Sequence, residues 1–184
     1  ASPGSSKQLE PLMGALAARG RATLAPDTAG NGDSEPLPMA QPEIPDLAEA
    51  ALAAVEQVLD GPFHLYGSHT GASIAMEMAL ARPKRALTLT IEGMGLYSAG
   101  LQSEVLDRYA REIRPDMEAT HLMQVWHFCR DQFLFWPYYE RTEAGRLPGG
   151  LPDAETLHDF TVEVLKAMRS YHLSYRAAFR HPKR

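Results

Sequence analysis

The run Gly67-Ser68-His69-Thr70-Gly71 sets one imidazole among small residues, with a glycine two positions away on either side. An imidazole there can take up a proton as a general base or attack as a nucleophile, but it has no hydroxyl to be acylated. Ser68 offers a hydroxyl next door. One step along a tight turn points that side chain away from the cavity, so His69 is the candidate. Residues 121–139 hold the other chemistry-bearing groups, with Trp126 and Trp136 the first choices to line an apolar pocket and His127 and Arg130 available for a substrate carboxylate. The competing explanation is that aromatics at helical spacing hold a helix against a core. His121 and His127 are six apart, do not share a helical face and lack a completing carboxylate, so no metal site is expected. Cys129 has no neighbouring base in sequence and reads as packing. His64 lies in an apolar run and reads as a hydrogen-bonded structural residue.

These residues need elements to position them. Ser5 or Ser6 can cap a helix over about 7–19 that stops at Gly20. The run 22–25 is short and apolar and reads as a strand, followed by a Gly/Pro-rich loop over 27–45. A second helix is expected over about 45–59, opened by Pro45 and ended before Gly61-Pro62. Residues 63–66 form a compact apolar run that enters the His69 turn directly, and an alanine-rich helix over 72–81 leaves it. Residues 86–91 have β-branched content and read as a strand. This alternation predicts parallel strands. From about residue 101 the pattern is helical, interrupted at 147–152. Asp27 and Asp33 read as turn organisers through side-chain to backbone bonds.

The bulk numbers exclude several classes of function. With 184 residues, 45% of them hydrophobic, the chain can bury one sizeable core with a smaller subdomain against it. A formal net charge of −5 provides no broad basic face, so nucleic acid is not an expected partner. No apolar run reaches the roughly 20 residues that span a bilayer, and no signal-peptide pattern opens the chain. One cysteine cannot form an internal disulfide, and the cytoplasm is the default expectation.

A small-residue pentapeptide between a strand and a helix resembles the nucleophile elbow of the α/β-hydrolase superfamily, Gly-x-nucleophile-x-Gly. Two further segments are similar in family order: Ala1-Ser2-Pro3-Gly4 to the end of the oxyanion loop, and residues 25–34 to the Pro-Asp-x-x-Gly-x-Gly-x-Ser segment. The resemblance covers essentially the whole chain. It implies an α/β fold: a partial α/β-hydrolase core of parallel strands with flanking helices over residues 1–100, plus a helical cap over 101–184. It also implies an oxyanion hole built from the N–H groups of Ser2 and Thr70, and it puts Glu92 where some members carry the acid. Glu92 would then orient His69, or else simply stand solvated at a strand end. The family's own acid and histidine follow later strands that this sequence does not show, and both ends read as cut.

The resemblance therefore implies a hydrolase acting on a small ester, thioester or carbonyl substrate, with His69 at the nucleophile position and no cofactor. The alternatives are a relative that binds a small apolar ligand without catalysis, or an inactive fragment. A small molecule is the expected partner, and exposed sheet edges or a mobile lid can support a homodimer.

Overall fold

The computed structural model describes residues 2–182. Its sheet has two parallel strands, β1 (Phe63–Ser68) and β2 (Ala86–Glu92), paired from His64 with Thr88 to Ser68 with Glu92 and irregular between Phe63 and His64. A parallel pair needs a crossover, and α3 (Thr70–Ala81) supplies it. Alternation sends Phe63 and Leu65 to one face of β1, where they join Ile44, Leu47 and Leu52 of α2 (Ile44–Val55) and Ile74 and Met78 of α3 in a core cluster. On the opposite face His64 and Tyr66 are exposed, and His64 Nδ1 lies 2.8 Å from Thr88 Oγ1. Along β2, Leu87, Leu89 and Ile91 share one face and remain 57%, 37% and 37% exposed, which marks an uncovered sheet face.

The expected strand over 22–25 does not form. The segment is extended, but among the described residues no strand lies beside it to take its backbone N–H and C=O groups, and Leu24 is exposed. Its N-terminal neighbour is shorter than expected: a 3-10 turn over Ser6–Leu9 runs into α1 (Glu10–Ala17), with Pro11 in the first turn. The loop between α1 and α2 is fixed by Asp27. Its Oδ1 accepts the Ser6 N–H at 2.6 Å and its Oδ2 the Asp33 N–H at 2.9 Å. Burial pushes the Asp27 carboxyl up, but those N–H donors outweigh it and hold the group below its ordinary value.

Among the described residues four helices make up the second half: α4 (Ala99–Arg108), α5 (Thr120–Leu134), α6 (Ala154–Lys166) and α7 (Tyr171–Arg180). They share a cluster containing Val105, Tyr109, Val125, Phe128, Leu157 and Val164. Helix α5 starts from Asp116, whose carboxylate accepts the N–H groups of Thr120 at 2.9 Å and His121 at 3.0 Å. Helix α7 has two apolar faces. Tyr171, Tyr175 and Phe179, at i, i+4 and i+8, enter the second-half cluster, whereas Ala177 and Ala178 enter the α2/α3 cluster. Helix α7 thus packs against both halves, Glu163 and Lys166 of α6 pair with Lys7 and Asp33, and His181 Nε2, 2.8 Å from Glu77 Oε1, fastens the end of α7 to α3.

Candidate functional site

The turn between β1 and α3 is held by close backbone approach. A Cβ on Gly67 would stand 2.1 Å from the Gly71 carbonyl oxygen, so only glycine lets the strand end and the helix start lie this close. His69, at the junction, has φ 51° and ψ −115°, an unusual conformation for a residue with a side chain. Its N–H continues the ladder by donating to Glu92 O at 3.0 Å. Thr70 follows as the first residue of α3, and a first-turn N–H has no acceptor within its own helix. The imidazole lies against the backbone of Gly93, where an added Cβ would come within 2.6 Å of His69 Cε1 and 2.7 Å of Nδ1.

His69 opens onto a cavity of about 400 Å³, within the range of small-ligand sites. Ser2, Thr70 and Ser73 join His69 in its lining, and Tyr97, Tyr109, Phe133, Trp136, Phe160 and Phe179 are its aromatic residues. Ser2 is anchored by its hydroxyl, 3.1 Å from Ser174 Oγ, which in turn accepts the Asn31 amide at 3.2 Å. Tyr109 packs against Trp136, Tyr138, Tyr175 and Phe179 with ring centroids 4.9 to 5.5 Å apart. Burial pushes the Tyr109 and Tyr175 hydroxyls well above their ordinary values. A second concavity of about 490 Å³, beside Arg111, His172 and Arg176, shares no lining residue with the first.

The structure brings His69, Thr70, Ser2 and Trp136 to one cavity and leaves Glu92, Trp126, His127 and Arg130 off its lining. Glu92 is exposed on the strand, where its carboxylate lies beside the Tyr66 hydroxyl; desolvation and then this neighbour raise that hydroxyl's pKa. Trp126 is half-buried against the second-half cluster. Arg130 is engaged within its own helix, with Nη2 2.7 Å from the buried carboxylate of Asp131, which Arg141 also meets at 2.7 Å. Burial pushes the Cys129 thiol up to about 12, so it is protonated and inert at neutral pH. Among the described residues no group of three His, Cys, Asp or Glu is placed to hold a metal ion.

Sequence reasoning missed Ser73, Tyr97, Tyr109, Phe160, Tyr175 and Phe179. Only Ser73 carried a local signal, since it stands three residues after Thr70 and so faces the same way on the helix.

No family model matches the chain, and no curated protein matches it significantly. Among solved structures it is similar to epoxide hydrolase A from Mycobacterium thermoresistibile, with TM-score 0.68 and 18% identity over 97% of this chain and 65% of that one. It is also similar to a hydrolase from Pseudomonas aeruginosa, with TM-score 0.62 and 18% identity over 96% of this chain and 60% of that one. The chain therefore spans less than two thirds of either structure. At this identity the likeness concerns the fold: a mixed α/β chain with a partial α/β-hydrolase core and a helical cap. No helix among the described residues is long and apolar enough to cross a membrane.

Proposed function

We propose that this chain is the part of a small-molecule hydrolase that carries the elbow and the cap, with residues 1–100 as core segment and 101–184 as cap, acting on an ester, thioester or carbonyl substrate. The observation that carries the reading is His69 itself: an imidazole held at φ 51° at a strand-to-helix junction and facing a cavity. Such strain is retained where the surroundings enforce it, and it concentrates at functional positions. In the proposed step the imidazole removes a proton from water as the water oxygen attacks the acyl carbon. The carbonyl oxygen then becomes an oxyanion facing the free N–H of Thr70, with Ser2 in the lining of the same cavity. Collapse breaks the bond to the leaving oxygen or sulfur, which takes the proton back from the imidazolium.

A ligand-binding protein without turnover is the second reading, and one observation favours it. Among the described residues no carboxylate is hydrogen-bonded to the His69 side chain to orient it or balance its charge. Hydrolysis of phenyl acetate by the wild type and by His69→Ala separates the two. The hydrolytic reading expects a rate above buffer that falls about 10²-fold or more in the variant. Equal rates would leave the cavity as a binding site only.

A further inference from the structure

Among the described residues the cavity at His69 carries no Asp, Glu, Lys or Arg in its lining, and Ser73 is only 1% exposed. Its Oγ is also without a hydrogen-bond partner. A buried hydroxyl left unpaired costs free energy that a partner would recover. In a helix this hydroxyl ordinarily turns back to the carbonyl four residues earlier, which here is His69 O, and it does not do so. The ligand that completes the site therefore brings a hydrogen-bonding atom to the first turn of α3.

The rest of the wall sets what else the ligand must be. Tyr109, Trp136 and Phe179 line the cavity and pack tilted or edge-to-face on one another, an aromatic surface that suits an aryl group. A carboxylate placed among the rings would lose its hydration, and among the described residues no lysine or arginine lines the cavity to replace it. Among the described residues the lining group that can become positively charged is His69, at the end where Ser73 and Thr70 lie. Arg130, the guanidinium that would otherwise attract an acid, is held by Asp131.

We infer that the cavity selects an uncharged aryl compound carrying one carbonyl oxygen, bound with that oxygen at Ser73 and Thr70 and its ring against the aromatic wall that Trp136 lines. This rests on reading the His69 cavity as the functional site, and it narrows the substrate class to neutral aryl esters and their carbonyl analogues. The matching acids bind more weakly than their esters, so a hydrolysis product that ionises is released.

The test is equilibrium binding, which does not depend on turnover. Trp136 lines the mouth at 41% exposure, and the chain has only two tryptophans, so Trp126→Phe leaves a single fluorophore at the site. Methyl benzoate, benzoate and toluene are titrated into this variant, and into the wild type by calorimetry in case the substitution disturbs the cap. The expected result is that methyl benzoate binds about tenfold or more tighter than benzoate. Ser73→Ala should weaken methyl benzoate about five- to tenfold and leave toluene unchanged. Benzoate binding as tightly as its ester, or no binding by either, would overturn the inference. Equal losses for ester and toluene in Ser73→Ala would overturn the role given to Ser73. Tight ester binding without hydrolysis would sink the hydrolytic reading and leave this one standing.

Discussion

The β1–α3 turn and the four-helix second half are built on opposite principles. Five consecutive residues define the turn, and its critical contact is backbone to backbone, between Gly67 and the Gly71 carbonyl. The wall facing it is assembled from α5, α6, α7 and the segments around Tyr97, Tyr109 and Trp136, residues distant in sequence whose rings meet only after packing. A local requirement can be read from local residues, whereas an assembled wall cannot.

The comparison breaks first at Tyr109. It is 5% exposed and touches five other rings, so Tyr109→Ala should lower unfolding stability by about 4 kcal/mol, read from the urea midpoint. A loss below about 1 kcal/mol would mean that the wall is loosely packed. Next in size is Gly67→Ala, which should cost about 3 kcal/mol, because its Cβ meets backbone that cannot rotate away. Gly71→Ala is the internal control. Nothing lies within 4 Å of a Cβ there, so the change should be within about 1 kcal/mol and stabilising, since alanine restricts the unfolded chain. Similar costs at the two glycines would contradict the close-approach account.

The smallest effect concerns the start of α5. Hydrogen bonds from Thr120, first its hydroxyl and then its N–H, hold Asp116 well below the usual carboxylate range. A carboxyl depressed in the folded state contributes stability at pH values above its unfolded value. That contribution fades as pH falls below about 4. The melting temperature of wild type should drop more steeply than that of Asp116→Asn on acidification through that range. Parallel curves would show that the cap contributes nothing that titrates.

Much of the core was legible because its signals are periodic or local. The apolar run at 63–66, the Gly-flanked turn and the alanine-rich segment after it gave strand, turn and helix close to their observed bounds, and the break at 147–152 separates α5 from α6. The residues 22–25 looked like a strand because composition reports tendency, whereas a strand exists only with a neighbour to bond. In the second half, helical character was legible but the destination of each ring was not. Trp126 and Trp136 were indistinguishable in sequence; one packs within the cluster and the other reaches the cavity. Arg130 looked available for a substrate until Asp131, buried beside it, claimed the guanidinium. Ser73 alone among the missed residues could have been found, from its spacing to Thr70.

The central claim is that His69 and the aromatic wall form one site, and the imidazole resonances of His69 test it most directly. With His69 assigned by its loss in His69→Asn, methyl benzoate should shift its ring signals in step with the response of Trp136, while those of His121 and His127, which lie off the cavity lining, stay in place. A Trp136 response with His69 unmoved would show that ligand binds the wall without reaching the turn, and the account of a single site would be wrong.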